Sequence, residues 1–297
     1  MIGLWLEEGR LKLRDDLPLP QPGPGEALVQ VVLTGICSTD HQLVDGIYPF
    51  TGVPGHEFVG VVEAGPPELS GRRVVGEINA PCGDCPTCRA GRGKHCPNRT
   101  VLGIEGRNGA LARHLTLPVE NLHLVPDQLP DEAAVFTEPL AAAVEFHDQV
   151  ETGPAVNALV VGAGKLGWLA AEALKAAGCN TSIATRTSDL PSGFDLAVEC
   201  TGNAEGYAVA RQALRPGGTL VLKSTYRGSL TLDPTLLVVD EIRILGSRCG
   251  PFPKALDLLS SGRIDPAPLI SKRFPLEQAE EAFRFSREPG VRKVLLA

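Results

Sequence analysis

The chain has 297 residues, 43% hydrophobic and 21% charged, so it can bury a large core and two domains are expected. Its net charge of -7 argues against a nucleic-acid-binding protein, because no basic stripe offsets the acidic balance. No apolar run is long enough to cross a bilayer, and residues 1–20 lack the apolar segment of a signal peptide. We therefore expect a cytoplasmic protein whose cysteines are thiols or metal ligands rather than disulfides.

The first 150 or so residues are rich in Gly, Pro and β-branched side chains and predict a compact β-rich domain. Strands bounded by turn-forming residues are predicted at EALVQVVLTGIC, HEFVGVVEAG and RRVVGEINA. A helix is expected from about Pro130, where PDEAAVFTEPLAAAVEFHDQ carries acids early and apolar residues at helical spacing.

From Ala155 onward the pattern alternates between strands and helices. The segment NALVVGAGKLGWLAAEALKAAGCNTSIATR predicts a strand, a Gly-rich turn, a helix and a second strand. There follow a strand at FDLAVECTG, a helix from about Ala204 to Leu214, a turn at RPGG, and strands at TLVLKSTY and EIRILGSR. Such alternation predicts a mostly parallel sheet. The chain ends with two amphipathic helices, FPKALDLLSSG and LEQAEEAFRFS, and a strand, VRKVLLA.

Four of the eight cysteines fall within CGDCPTCRAGRGKHC, at Cys82, Cys85, Cys88 and Cys96. Short loops with Gly and Pro let four thiolates converge on one tetrahedral Zn²⁺, and a site closed by four thiolates is structural. An iron–sulfur cluster is the competing interpretation, but bacterial ferredoxins have a three-residue gap before the last cysteine, and here the gap is seven residues. The spacing therefore favours zinc.

A second group of potential metal ligands is spread along the chain. Cys37 lies in GICSTDH, His56 and Glu57 lie in GHEFVG, and Glu138 lies in TEPL. Singly, each has a structural explanation: a core thiol, a turn histidine, an acid near a helix N-terminus. Together they are the ligand types of a catalytic zinc, which keeps one position open for water or substrate.

The Gly-rich turn after the strand at Val160 has the form of a dinucleotide-binding fingerprint. Gly162 permits a tight turn, Gly164 lets the backbone approach a pyrophosphate, and Gly167 allows the helix to pack closely on the sheet. Lys165 and Leu166 complete the turn at the helix N-terminus, where phosphate binds. The next strand ends near Arg186 without an acid, which favours NADP over NAD because a guanidinium suits a 2′-phosphate.

These motifs, in this order, resemble the zinc-containing medium-chain dehydrogenase/reductase family of alcohol, sorbitol, threonine and glucose dehydrogenases. The resemblance implies that Cys37 and His56 bind the catalytic zinc, and that either Glu57 or Glu138 completes its shell. It also implies catalytic roles for Glu57, for Thr39 as the first hydroxyl of a proton relay, and for His41 as a candidate next carrier. His41 lies four residues after Cys37, whereas the relay histidine of liver-type members lies five after.

The same resemblance implies an α/β protein with a GroES-like β-rich catalytic domain and a Rossmann doubly wound parallel sheet. We expect the catalytic domain at 1–153, the dinucleotide-binding domain at 154–250, and a C-terminal segment, 251–297, that returns to the catalytic domain. Only eight residues separate Arg186 from Asp195, too few for a helix and a strand. The Rossmann sheet is therefore predicted to lack its second helix and third strand, an edge strand in the order 3-2-1-4-5-6.

We therefore predict an enzyme that transfers a hydride between an alcohol or polyol, or the corresponding carbonyl, and NAD(P). It is expected to hold one catalytic and one structural zinc, to form a homodimer or homotetramer, and to bind neither nucleic acid nor membrane. The alternatives are an impaired or regulatory member that binds cofactor weakly, a zinc-ribbon nucleic-acid binder, which the acidity disfavours, and a metal-free quinone reductase, which conflicts with Cys37, His56 and the four cysteines.

Overall fold

The computed structural model describes residues 1–185, 192–226 and 228–297. These residues form two compact units, one of Met1–Glu138 with Asp265–Ala297 and one of Pro139–Ile264. Among the described residues, no helix has the length and hydropathy needed to cross a membrane.

Short strands dominate the described chain up to Leu124, and helices are more frequent after it. The strands are β1 (Gly3–Glu7), β2 (Arg10–Arg14), β3 (Glu26–Gly35), β4 (Glu57–Ala64), β5 (Arg73–Gly76), β6 (Asn79–Ala80), β7 (Thr100–Leu102), β8 (Gly106–Arg107), β9 (His114–Pro118), β10 (Leu122–Leu124), β11 (Asn157–Val161), β12 (Asn180–Ala184), β13 (Phe194–Glu199), β14 (Leu214–Leu222), β15 (Arg243–Gly246), β16 (Ile270–Phe274) and β17 (Lys293–Leu296). The helices are α1 (Ser38–Val44), α2 (Pro86–Arg89), α3 (Asp131–Ala134), α4 (Thr137–Val144), α5 (Lys165–Ala176), α6 (Ala204–Ala213), α7 (Pro234–Val239), α8 (Phe252–Ser260) and α9 (Ala279–Phe285).

The first unit is built on a seven-stranded sheet. Six strands follow the order β10-β5-β4-β3-β17-β16, and the seventh, β9, pairs with the first half of β3. Residues 28–35 of the long strand β3 pair antiparallel with β4, and the last residues of β3 also pair with β17. The end of β3, the start of β4 and the C-terminal strand therefore lie side by side, although they are far apart in sequence.

The core of the first unit joins its N-terminal hairpin to its C-terminal segment. One cluster of buried side chains includes Leu4, Ile36, Leu111, Phe274 and Phe283. Because these side chains come from both ends of the chain, the C-terminal 33 residues, from Asp265, are an integral part of the β-rich unit.

The second unit contains a five-stranded, all-parallel sheet of order β12-β11-β13-β14-β15. Its central strands carry continuous apolar runs, such as the buried run from Ala158 to Val161, as expected for strands covered on both faces. Strand β12 lies at one edge of the sheet, and the described residues between β12 and β13 contain neither a helix nor a strand. The predicted fold class is confirmed.

Two features differ from the predicted organisation. The second unit begins at Pro139 and ends at Ile264, so it includes the segments 139–153 and 251–264 that were assigned to its neighbours. The two segments contact each other: the Nζ of Lys254 lies 3.0 Å from Oδ1 of Asp148, and Gly250, just before the second segment, lies directly against the carbonyl oxygen of Ala141.

The residues RPGG, predicted to be a turn before a separate strand, lie inside β14. The pairing of β13 with β14 shifts register between Phe194 and Leu196, and this irregularity lets β14 continue through the two glycines.

Candidate metal centres and nucleotide-binding turn

The pairing of β3 with β4 brings together the first three predicted ligands. Gly35, the last residue of β3, pairs with Glu57, the first residue of β4. Cys37 follows two residues after the end of β3, and His56 immediately precedes β4. One thiol, imidazole or carboxylate atom from each of Cys37, His56 and Glu57 lies within 4.8 Å of the others. The antiparallel register therefore gathers a sulfur, an imidazole nitrogen and a carboxylate oxygen, all of which are atom types that bind zinc.

Asp40 supports this group, and the sequence analysis missed it. Its buried carboxylate accepts a hydrogen bond from the backbone N–H of Cys37 at 2.7 Å, and its Oδ1 lies 3.5 Å from Nδ1 of His56. Burial by itself lowers the pKa of His56, but the charges of Asp40 and Cys37 outweigh it and raise that pKa well above its usual range. A carboxylate on the second ring nitrogen fixes the tautomer and orientation of a ligating histidine.

Lys293 is the second supporting residue that was not predicted. It lies in β17, and its ammonium group forms a buried ion pair with Oε2 of Glu57. The same Nζ lies 3.4 Å from the carbonyl oxygen of Ile36. Burial by itself lowers the pKa of Lys293, but Glu57 and Cys37 raise it above its ordinary value. The ammonium group of Lys293, close to the C-terminus, thus holds the carboxylate of Glu57 in place.

Of the other residues predicted at this site, Thr39 lies beside the group, whereas His41 packs on another helix and Glu138 does not belong to the group. Oγ1 of Thr39 lies 3.8 Å from Sγ of Cys37, at the start of α1. The imidazole of His41 packs on α9, with Nε2 at 3.1 Å from Oγ of Ser286 and an edge contact with the ring of Phe283. Glu138 is half-buried in the first turn of α4 and does not belong to the group of atoms within 4.8 Å found among the described residues.

The four clustered cysteines form a second, independent group. The sulfur–sulfur distances are 3.4 Å for Cys85–Cys88, 3.8 Å for Cys85–Cys96, 3.5 Å for Cys96–Cys82 and 4.0 Å for Cys82–Cys88. Four thiolates bound at about 2.3 Å to one tetrahedral zinc are about 3.8 Å apart, so the arrangement fits this ion. The backbone N–H of Cys88 is the main cause that lowers the pKa of Cys85 to about 6, whereas burial and the neighbouring thiols raise the pKa of Cys88 to about 12. Opposite shifts are expected where closely spaced thiolates repel one another.

The Gly-rich turn has the local geometry that its sequence predicts. Gly162 follows β11 with a φ of +110°, a conformation that side chains disfavour. A Cβ on Gly167 would lie 1.8 Å from the carbonyl oxygen of Gly162, so only glycine permits this contact between helix and strand end. A Cβ on Gly164 would meet nothing within 4 Å, which leaves open space at the N-cap of α5, next to Lys165 and Leu166. Arg186 lies outside the described residues.

Comparison with known proteins bears on both units. The model of the alcohol dehydrogenase GroES-like domain matches residues 23–127, and the model of the zinc-binding dehydrogenase family matches residues 180–261. The L-threonine 3-dehydrogenases of Anaeromyxobacter sp. (strain Fw109-5) and Deinococcus deserti are 26% and 28% identical to this chain. These alignments cover 99% and 95% of this chain and 96% and 94% of the relatives.

The chain belongs to the zinc-containing medium-chain dehydrogenase/reductase family. Its structure is similar to that of a zinc-binding dehydrogenase from Sinorhizobium meliloti 1021 bound to NADP, with a TM-score of 0.92, 28% identity and coverage of 99% and 98% of the two chains. It is also similar to the alcohol dehydrogenase of Thermus sp. ATN1, with a TM-score of 0.89, 28% identity and coverage of 100% and 99%.

Family membership confirms the prediction of a zinc-dependent, NAD(P)-linked dehydrogenase, and the comparisons give no support to an impaired or regulatory member. The alignment with the Anaeromyxobacter relative spans 338 positions, and this chain has 297 residues, so at least 41 of those positions are gaps in this chain. The lack of these positions is in keeping with the short connection after β12.

Proposed function

We propose that the dehydrogenase oxidises an alcohol or polyol, or reduces the corresponding carbonyl, at a zinc held by Cys37, His56 and one of Glu57 and Glu138. The convergence of Cys37, His56 and Glu57 within 4.8 Å carries this proposal. These residues would hold a zinc that, when bound, would supply Lewis acidity: it would lower the pKa of a coordinated hydroxyl or polarise a carbonyl for hydride transfer with the nicotinamide.

The side chains of this chain prepare the site in distinct ways. Asp40 orients the imidazole of His56, and Lys293 fixes the carboxylate of Glu57. The hydroxyl of Thr39 is half-buried and lies 3.8 Å from Sγ of Cys37, where it would accept a proton from a substrate hydroxyl bound beside this ligand. His41 remains a candidate for the next proton carrier.

We propose that Gly162, Gly164 and Gly167, with Lys165 and Leu166, bind the pyrophosphate of the cofactor. The open space at Gly164 and the N-terminus of the twelve-residue helix α5 support this role, because backbone N–H groups there favour an anion. NADP is the proposed cofactor, because Arg186 lies near the end of the second strand and the sequence has no acid there before Asp189. The relative from Sinorhizobium meliloti binds NADP, and one from E. coli CFT073 was solved with NADH.

The cysteine group at residues 82–96 is proposed to hold a structural zinc, which gives two zinc ions per chain. We also propose a homodimer or homotetramer in the cytoplasm. The exposed apolar side chains on α7 and on the edge strand β15 support the oligomer: Leu236, Val238, Val239 and Ile244.

Turnover of a panel of alcohols and polyols tests this function. The zinc-loaded enzyme is mixed with NADP⁺ or NAD⁺, and formation of the reduced cofactor is followed by its absorbance. The panel includes L-threonine, simple secondary alcohols and sugar alcohols, which represent the relatives' substrates and the predicted class. Turnover of one class that disappears in Cys37→Ser supports the proposal, and turnover that persists in Cys37→Ser contradicts the assignment of the catalytic zinc.

A further inference from the structure

A buried lysine lies at the carboxyl edge of the parallel sheet in the second unit. Lys223 directly follows β14, and its side chain is only 8% exposed. Its backbone N–H donates to the carbonyl oxygen of Glu199, the last residue of β13, at 2.9 Å. Its Nζ donates to Oγ of Ser247 at 3.1 Å and to the carbonyl oxygen of Arg248 at 3.0 Å, both just beyond β15. The ammonium group therefore lies along the ends of three adjacent strands.

The position of this edge in the fold indicates which half of the cofactor binds beside it. In doubly wound sheets, ligands bind outside the carboxyl ends of the strands, and each half of the sheet binds one mononucleotide. The Gly-rich turn follows β11 and belongs, with β12, to the half that binds the adenosine part. Strands β13, β14 and β15 form the other half, so Lys223 lies at the edge that serves the nicotinamide mononucleotide.

The charge of Lys223 acts on other groups at this edge. Burial is the main cause that lowers the pKa of His147 to about 4, and Lys254 and Lys223 add to this effect. Burial and Glu199 raise the pKa of Cys200 to about 12, against the opposing charge of Lys223. A buried ammonium is costly to maintain, whereas a small apolar residue would continue the strand without that cost. This contrast points to a role beyond holding β14 to β15.

We infer that Lys223 makes the dehydrogenase bind the reduced nicotinamide cofactor more tightly than the oxidised one. The oxidised ring carries a positive charge and the dihydro ring is neutral, so a fixed cation at this edge repels only the oxidised form. Two like charges about 10 Å apart, at an effective dielectric constant of about 20, change an equilibrium about tenfold. By linkage, the bound oxidised cofactor becomes a stronger hydride acceptor. The inference rests on the proposed function, because it requires that the edge binds NAD(P).

The ratio of two dissociation constants measures this effect. NADP⁺ and NADPH are titrated into wild-type enzyme and into Lys223→Met, and the NAD pair replaces them if the wild type prefers it. We expect the ratio Kd(NADP⁺)/Kd(NADPH) to fall about tenfold in Lys223→Met, equivalent to a potential of the bound two-electron couple lower by about 30 mV. The ratio is taken within each variant, so it does not depend on the fraction of folded protein.

Three controls separate this charge effect from a structural one. Lys223→Arg keeps the charge and should retain most of the ratio. Lys175→Met removes an exposed charge from the same unit and should leave the ratio unchanged. The ligand 2′-phospho-ADP-ribose lacks the nicotinamide and should bind wild type and Lys223→Met equally well. If Lys223→Met does not fold, Lys223→Gln replaces it.

The outcomes distinguish this inference from the function on which it rests. An unchanged ratio in a folded Lys223 variant would overturn the inference alone, and so would an equal loss of affinity for all three ligands, which indicates a structural role. If wild-type enzyme binds neither form of either nucleotide, the proposed cofactor and the inference both fail.

Discussion

Two buried acid–base pairs support the residues proposed to bind the catalytic zinc. Asp40 faces His56, and Lys293 pairs with Glu57, each with almost no exposed surface. Burying four ionisable groups costs desolvation energy that such pairs recover only in part, so they add little to stability. The pairs instead orient the proposed ligands, because each holds one side chain, His56 or Glu57, in one orientation.

Replacement of Lys293 by Met should be strongly destabilising. The carboxylate of Glu57 would remain buried without its cation, which costs about 3–5 kcal/mol in the free energy of unfolding. Urea unfolding of the zinc-loaded variant measures this loss. The matched control is Lys12→Met on the exposed strand β2, which should change the free energy by no more than about 0.5 kcal/mol. Equal effects of the two substitutions would show that the pair has no structural role.

The second prediction at this scale concerns Asp40. Asp40→Asn removes the charge beside His56, and we expect zinc affinity at the Cys37 group to fall about 10- to 100-fold. Competition with a chromogenic chelator measures the affinity of the more weakly bound ion. Asp45→Asn, which alters the acid paired with Arg287 at the end of the same helix, should leave zinc affinity unchanged. A similar loss in both variants would contradict an orienting role for Asp40.

The sequence predicted that Cys37, His56 and Glu57 act together, and the structure brings them together, but the sequence did not predict the roles of Asp40 and Lys293 beside them. Cys37, His56 and Glu57 stand in recognisable local patterns, because a ligand must have a particular chemistry. Lys293 lies 236 residues from its partner, and only the pairing of β17 with β3 brings it near. The sequence did not reveal Asp40 for a different reason: an acid three residues after the N-cap of a helix is also an ordinary capping residue.

At the level of elements, two glycines at the junction of β11 and α5 are proposed to have different roles: Gly164 leaves space for the cofactor, and Gly167 lets the helix pack on the strand. Gly164→Ala adds a methyl group where nothing lies within 4 Å, at a φ of -71° that alanine readily adopts. We expect the fold to tolerate this change, and we expect NADPH to bind at least about tenfold more weakly, because the methyl group occupies space proposed for the pyrophosphate. Fluorescence titration and thermal unfolding measure the two effects.

Gly167→Ala provides the contrasting substitution on the same helix. Its methyl group would lie 1.8 Å from the carbonyl oxygen of Gly162, so α5 must shift away from β11. We expect a loss of about 1–3 kcal/mol or more in the free energy of unfolding, in addition to weaker NADPH binding. If Gly164→Ala binds NADPH as tightly as the wild type, the pyrophosphate does not occupy the space at this turn.

The order of the parallel sheet was predictable because the chain is short after β12. A strand and a helix need more residues than the sequence provides there, and an edge strand is the one that a sheet can lose. The extent of β14 was not predictable in the same way. RPGG has turn-forming composition, and only the pairing with β13 shows that the strand continues through it. Local propensity was overridden by the neighbouring strand.

The whole molecule presents an apolar surface on α7 and on the outermost strand β15. Val238 is 74% exposed and Val239 is 71% exposed, and Ile244 lies on the open edge of the sheet. Exposed apolar groups beside an unpaired strand edge are typical of an interface. We expect light scattering to give a mass of at least about 63 kDa, twice the 31.4 kDa of one chain.

Charged substitutions on this surface should separate the subunits. The double variant Val238→Asp with Ile244→Asp should shift the mass toward that of one chain, because a carboxylate cannot be buried in an apolar contact without a partner. Leu19→Asp, at an exposed leucine in the other unit, should keep the wild-type mass. An oligomer that persists in the double variant would place the interface elsewhere.

The central claim is that Cys37 and His56 hold one zinc ion while the four clustered cysteines hold another. Elemental analysis of purified protein tests it most directly. We expect about two zinc ions per wild-type chain and about one in Cys37→Ser, with Cys179→Ser, at a buried thiol outside both groups, still binding two. A wild-type chain with a single zinc, or a Cys37→Ser variant that retains both, would contradict the account.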